Sequence, residues 1–207
     1  MKKNSSFALL VLFLSSLTFA APSTAPSDFK TLLIQFSELS QKLHQAPAHI
    51  AAEIEDFSKI QNSPEFLTCK FLHFKACKSL EKKRADLSTA ISSYDSSENF
   101  DLIILTQKLI SADVPAGVNA DDLTTIITGV VFYFQFQDLN FASFDADAVL
   151  EMNHENCSDR FLKSARIKCG ALATEKSAAT YATELQKSEI NWDLQMESLN
   201  SLIRRSP

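Results

Sequence analysis

The chain has 207 residues, only three glycines and six prolines, and a formal net charge of −5. Phosphate-binding loops and dinucleotide fingerprints need two or three glycines within about eight residues, so the wide spacing of Gly117, Gly129 and Gly170 excludes both motifs. Few glycines and prolines also argue against a hairpin-rich all-β fold, and an acidic chain with dispersed basic residues argues against a nucleic-acid partner.

The first twenty residues are typical of a secretory signal peptide. Met1-Lys2-Lys3 is positively charged, residues 7–19 are largely apolar, and Thr18-Phe19-Ala20 ends in small residues at the positions that precede cleavage. The apolar run is about thirteen residues long, which is shorter than the roughly 20 that span a bilayer. No later segment is apolar enough to span a membrane, so we expect no transmembrane segment after signal removal.

This pattern sets the predicted domain organisation: a signal peptide at 1–20, a disordered leader at 21–27, and a single helical domain at 28–207. Cleavage after Ala20 would leave 18 basic residues against 25 acidic ones. We expect the mature protein in the extracellular space, or in the periplasm if the source is bacterial.

The remaining sequence predicts an all-α fold, an irregular bundle of about six to seven helices that includes two long ones. Apolar residues that recur every three or four positions predict a helix over about 28–45, and Pro47 begins a second, shorter one. Ser63-Pro64-Glu65 is a helix start, because serine can cap the helix and proline is tolerated at the first helical position. No glycine or proline follows before Ser92, so we predict one long helix from Pro64 to about Ser92.

The second half of the chain begins with a segment at 100–110 that is apolar on nearly all sides, which predicts a buried central helix. It ends at a turn over 113–117. The segment 123–137 is ambiguous, because its apolar residues fit helical spacing while its phenylalanines also alternate with polar residues as in a strand. We favour a helix, since an isolated strand would leave its backbone groups unpaired.

Three further elements complete the predicted bundle. We expect a helix at about 144–152, a segment capped by Ser158 that runs to Cys169, and a last long helix at about 181–203. Gly170 is expected to end the segment before that last helix.

Four cysteines, Cys69, Cys77, Cys157 and Cys169, predict two disulfides in a secreted chain. On one continuous helix Cys69 and Cys77 would lie about 12 Å apart, beyond the roughly 4.4–6.8 Å between Cα atoms that a disulfide allows. The bonds are therefore predicted to join the long helix to the 157–169 segment. If these two elements pack antiparallel, Cys77 pairs with Cys157 and Cys69 with Cys169. The alternative of a metal site is disfavoured, because the tight Cys-x-x-Cys spacing is missing.

Candidate chemistry is sparse. Glu151-Met152-Asn153-His154 is a Glu-x-x-His motif, but di-iron sites need this motif twice with two further glutamates, so a surface pair is the better interpretation. His44 and His49 flank Pro47 in a predicted interhelix loop, and His73 is expected in the core. Asn156-Cys157-Ser158 is a glycosylation sequon with a cysteine at its centre, which makes Asn156 a weak candidate for modification.

The function predicted from these features is binding without catalysis, because no catalytic motif is recognisable and the glycine count excludes a Gly-x-Ser-x-Gly elbow. Sixteen phenylalanines indicate either a filled core or an apolar surface for a ligand. We expect a protein partner or a hydrophobic small molecule, with no cofactor or metal ion. One alternative is a small extracellular enzyme that uses His154 and the carboxylates at 145–155. Another is a structural or self-assembling role that depends on residues 124–136.

Overall fold

A computed structural model describes residues 26–70, 72–94 and 99–206. The described residues form six α-helices and no strand, which confirms the all-α prediction. The helices are α1 (Pro26–Phe57), α2 (Pro64–Thr68), α3 (Phe74–Ser93), α4 (Asn99–Ile110), α5 (Ala120–His154) and α6 (Lys163–Arg205). None of these helices combines the length and apolar character that a membrane span requires. The predicted signal peptide and residues 21–25 of the predicted leader lie outside the described residues, and helix α1 begins at Pro26.

The long helices α5 and α6 are antiparallel neighbours, and α1 packs against α6 along the same bundle. The shorter α4 lies against α1 and α5, and α3 lies against α6. Two clusters of buried apolar side chains fill the interior. One surrounds Trp192 at the level where α1, α5 and α6 meet, and the other surrounds Cys69 and Cys77 at the opposite end of the bundle.

Helix α1 is continuous where the sequence predicts two helices. Pro47 lies inside it, although proline normally breaks a helix because it lacks an N–H donor and crowds the preceding turn. Buried residues on both sides of the proline, such as Leu43 and Ile50, face the same interior. Tertiary packing on both sides therefore outweighs the local cost of Pro47, and His44 and His49 lie on a helix rather than in a loop.

The predicted helix from Pro64 to Ser92 is instead interrupted between α2 and α3. Ser63 caps α2 as expected, because its side chain accepts a hydrogen bond from the Phe66 N–H. The helix ends at Thr68, Cys69 has extended backbone geometry, and α3 restarts at Phe74. His73 is exposed at the start of α3, so the prediction that it lies in the core is wrong.

This interruption overturns the predicted disulfide pairing. Cys69 is bonded to Cys77, with 4.6 Å between their Cα atoms, and Cys157 is bonded to Cys169, with 5.4 Å. The predicted pairs, Cys77 with Cys157 and Cys69 with Cys169, rested on an unbroken helix, and that premise fails at Cys69. Both disulfides are local, because each closes a short loop beside a helix end.

Helix α5 resolves the ambiguity at 123–137, since the whole segment is helical and continues without a break through the predicted helix at 144–152. Gly129 lies beside the Gln195 side chain of α6. A Cβ atom at that position would lie 2.8 Å from Cδ of Gln195, so this flexible side chain would have to shift to make room for it. Asn119, whose side chain accepts a hydrogen bond from the Asp121 N–H, caps the helix.

Helix α6 likewise joins two predicted elements into one of 43 residues. Gly170 is buried inside it and does not end it, so the prediction of a stop at this glycine is wrong. The bulk of Met152 and Arg84 packs around that position. Helix α4 is also less buried than predicted, because Leu102 and Leu109 face the interior while Phe100 is 63% exposed.

Candidate functional site

The outward side of α5 carries an unusual run of exposed apolar side chains. Phe132 is 60% exposed, Leu139 is 62% exposed, and Phe136, Val149 and Leu150 are also exposed. These residues point away from the interior, which the same helix contacts through buried residues on its opposite side. Large exposed apolar patches on soluble proteins mark interaction sites more often than not.

The spacing along this side alternates between four and three residues. We call this surface the α5 outer face, and it consists of Phe132, Phe136, Leu139, Ser143, Ala146 and Leu150. Spacing of 4-3-4-3-4 places all six side chains on one stripe of the helix, about 27 Å long at 1.5 Å per residue. Three bulky residues form its first half, the small Ser143 and Ala146 follow, and Leu150 ends it.

No charged residue belongs to the stripe. Two acidic side chains close to the stripe are directed to neighbouring helices: Asp147 Oδ2 accepts a 2.6 Å hydrogen bond from the Tyr181 hydroxyl on α6, and Asp145 Oδ1 accepts one of 3.4 Å from Ser88 on α3. In a chain with a net charge of −5, an uncharged stripe of this length is a local exception.

A second feature is a polar network inside the bundle where α1, α5 and α6 meet. Glu189 is its centre. One carboxylate oxygen lies 2.8 Å from His44 Nε2, and the other accepts hydrogen bonds from the Tyr133 hydroxyl at 2.5 Å and from Gln137 Nε2 at 3.2 Å. The His44 ring stacks on Trp192, with 4.3 Å between ring centroids and 2° between planes.

This network holds the three helices together, and its side chains are mostly enclosed by them. Gln137, Tyr133 and Trp192 are buried, whereas the side chains of His44 and Glu189 are 21% and 27% exposed. Hydrogen bonds of this kind favour one relative position of the helices, because a different packing would take the half-buried Glu189 carboxylate away from its partners. Those partners come from both α1 and α5.

Burial is the main reason that the pKa of Tyr133 lies well above its usual range, and the hydrogen bond to Glu189 adds to it. Because the folded protein holds this proton more tightly than the unfolded chain, the contribution to stability is complete below about pH 10 and is lost as the pH rises beyond that value.

We expect the free energy of unfolding to fall above about pH 10. The Tyr133→Phe variant should cost about 1 kcal/mol at pH 8 and show a shallower decline above pH 10. Urea unfolding followed by circular dichroism, at pH 8 and above pH 10, measures the free energy of unfolding of both proteins. If it falls as steeply above pH 10 in the variant as in the wild type, the prediction is wrong.

The segment at 145–155, the alternative catalytic region, does not converge on a cleft. Glu151 Oε2 is 2.7 Å from Lys176 Nζ, and Asp147 is held by Tyr181 on another side of the helix. The His154 side chain is 80% exposed. In the part of the chain that the structure describes, three surface cavities of about 160–260 Å³ are lined by residues outside 145–155.

A possible metal-binding group exists at the end of α5. Glu151, His154 and Glu155 offer ligand atoms that lie within 4.8 Å of one another, and it is the one group of this kind among the described residues. Glu151 already balances the charge of Lys176, and the other two side chains are in solvent. Glu151 and His154 thus lie close together at the end of α5, with Glu155 beside them.

The sequon at Asn156 lies in the connection between α5 and α6. Asn156 is exposed and has a left-handed backbone conformation with φ of 48°, and the next residue is bonded to Cys169. Glycosylation of Asn156 stays a prediction.

Sequence reasoning missed both the network and the α5 outer face. His44 and Glu189 are 145 residues apart, so no local pattern connects them. The α5 outer face had a signal, the clustered phenylalanines, but α5 is apolar on two sides and periodicity alone does not show which side is buried. Phe134, Phe141 and Phe144 fill the core, while Phe132 and Phe136 are outside it.

No protein-family model, curated protein or solved structure matches this chain.

Proposed function

We propose that the protein is exported to an oxidising compartment and acts there, without catalysis, by binding another protein through the α5 outer face. The observation that carries the proposal is the exposure of Phe132, Phe136, Leu139 and Leu150 along one uncharged stripe. Two disulfides and the lack of a spanning helix in the described residues support export.

A protein partner fits this surface better than a small apolar ligand. Small hydrophobic ligands bind in concave sites that enclose most of their surface, whereas the outer face is the convex side of a helix. None of the buried phenylalanines lines any of the three cavities described above. A helix face of this kind is the type of surface that packs against another protein surface, as in helix-in-groove and coiled-coil recognition.

The energetics also favour a partner that covers the stripe from end to end. Full burial of a phenylalanine or leucine side chain contributes about 1.5–3 kcal/mol, and association itself costs an estimated 4–15 kcal/mol. One or two side chains are therefore too few for a stable complex. All four bulky residues of the stripe must be buried together.

Support for a role without catalysis comes from the acidic segment. Asp145, Asp147 and Glu151 are each engaged by a different partner, on α3 or α6, so they are not free to share a substrate. A catalytic pair of carboxylates needs a common cleft in which both groups reach the same substrate.

Site-specific photocrosslinking tests the proposal. The exported protein is made with p-benzoylphenylalanine at position 139, or at position 190 as a control, because Ile190 on α6 is an apolar residue with a similar exposure of 56%. Each protein is irradiated in the extracellular fluid of the cells that produce it, with or without an excess of unlabelled competitor.

We expect covalent adducts at position 139 that the wild-type competitor suppresses and the Phe132→Glu/Phe136→Glu competitor does not. Position 190 should give no adduct with this dependence. If position 139 gives no competitor-sensitive adduct, or if both positions give the same ones, the proposed function is wrong.

A further inference from the structure

We infer that the partner on the α5 outer face is a second copy of this chain, bound with the two α5 helices antiparallel. This inference rests on the proposed function and specifies its partner. Three properties of the stripe lead to it: its spacing, its order of large and small residues, and its lack of charge.

The 4-3-4-3-4 spacing is that of a coiled-coil seam. A straight helix that packs on a flat surface needs only a broad apolar side, whereas a strict alternation of three and four residues keeps a narrow stripe facing a second helix along its length. The stripe covers five such intervals between Phe132 and Leu150.

The order of side chains selects the antiparallel arrangement. A two-fold axis that passes near position 141 places Phe132 opposite Leu150, Phe136 opposite Ala146, and Leu139 opposite Ser143. Each central layer then joins a bulky residue to a small one, as packing of knobs into holes requires. A parallel arrangement would instead set Phe136 against Phe136 and Ala146 against Ala146, which gives one crowded layer and one empty layer.

Charge does not oppose self-association through this surface. Every copy carries a net charge of −5, so two copies associate most readily where the interface brings no like charges together. The positions beside the stripe on its outward side, Gln135, Ala142 and Val149, are uncharged as well. An isologous interface uses one patch twice, and this patch carries no charge that would oppose itself.

The stripe is small for an obligate dimer. A contact about 27 Å long and one helix wide falls at the low end of specific interfaces. We therefore expect reversible dimerisation, with a dissociation constant in the micromolar range.

Sedimentation equilibrium of the oxidised protein, from about 1 to 300 μM, tests the inference. We expect a monomer–dimer equilibrium in the wild type. Ala146→Phe should raise the dissociation constant about tenfold or more, because it sets a second bulky ring against Phe136. The swap variant Phe136→Ala/Ala146→Phe restores one large and one small residue per layer and should recover most of the affinity. Ala85→Phe, an equivalent change at an exposed position of α3, should leave the dissociation constant unchanged.

A chain that stays monomeric over this range overturns the inference. A tighter dimer for Ala146→Phe than for the wild type also overturns it, because that result would indicate parallel or nonspecific apolar association. The inference is wrong as well if the swap variant does not recover the affinity of the wild type. Circular dichroism confirms that each variant is folded. If the chain is monomeric while position 139 still gives competitor-sensitive adducts with a different protein, only the self-association is wrong. If those adducts are also missing, the proposed function fails with it.

Discussion

Replacement of Trp192 by alanine should lower the free energy of unfolding by about 3–5 kcal/mol, the range found for large aromatic residues removed from packed cores. Trp192 is 4% exposed and touches three other rings, those of His44, Tyr133 and Phe134. Its removal opens a cavity where α1, α5 and α6 meet and also takes away the surface on which His44 is stacked. Small domains have a total stability of about 5–15 kcal/mol, so this one change removes a large part of it.

Chemical unfolding followed by circular dichroism at 222 nm measures this loss. Fluorescence is unsuitable, because Trp192 is the sole tryptophan of the chain. Leu194→Ala is the matched control, since Leu194 lies on the same helix but is 55% exposed, and it should change stability by less than about 0.5 kcal/mol. A loss below about 1 kcal/mol for Trp192→Ala would show that the three helices do not meet around this side chain.

Removal of either disulfide has the second large expected effect. The loops closed by Cys69–Cys77 and Cys157–Cys169 span 8 and 12 residues. In the chain-entropy description each such loop contributes about 3 kcal/mol, whereas loops of 80–100 residues would contribute about 4–5 kcal/mol. The Cys157→Ala/Cys169→Ala variant should therefore unfold at a lower denaturant concentration, with a loss of about 3 kcal/mol.

Thiol counting under denaturing, non-reducing conditions distinguishes the two pairings more sharply than stability does. The Cys157→Ala/Cys169→Ala variant keeps an intact Cys69–Cys77 bond and should contain no free thiol. Its single-site counterpart, Cys157→Ala, should contain one free thiol, at Cys169. Two free thiols at Cys69 and Cys77 in the double variant would support the crossed pairing that the sequence suggested.

Local sequence signals predicted the helical class, the helix start at Ser63, the turn at 113–117 and the helical state of 123–137. These features depend on neighbours within a few residues: a capping side chain, a proline or glycine, and the period of apolar positions. In the described residues Gly117 has φ of 96° at the turn, as a glycine there should.

Continuity of the helices was not predictable in the same way. Pro47 and Gly170 are local stop signals, yet both lie inside long helices. Around Pro47, buried residues on both sides belong to the core, Leu43 to one cluster and Ile50 to the other. At Cys69 the opposite happened: a continuous helix was predicted, but the helix ends there. No local signal marks this break, which brings Cys69 close enough to Cys77 for the disulfide. The predicted disulfide pairing failed as a direct consequence.

The candidate site shows the same limit. Phenylalanine clustering at 132–144 identified the right segment, but separating Phe132 and Phe136 from the buried Phe134 and Phe141 required the position of α6. The partners of Glu189 come from α1 and α5, which are far away in the chain, and only the folded arrangement brings His44, Tyr133 and Gln137 to the same carboxylate.

Hydroxyl-radical footprinting tests most directly whether the α5 outer face is a binding surface. Oxidation of Phe132, Phe136 and Leu139 is compared between dilute purified protein and protein in its native extracellular fluid, with Ile190 and Leu194 as internal references of similar exposure. We predict rapid oxidation of all five residues in the dilute protein and selective protection of the three α5 residues in the native fluid. Equal oxidation of the α5 residues under both conditions, or protection that includes Ile190 and Leu194 to the same degree, would contradict a binding role for this face.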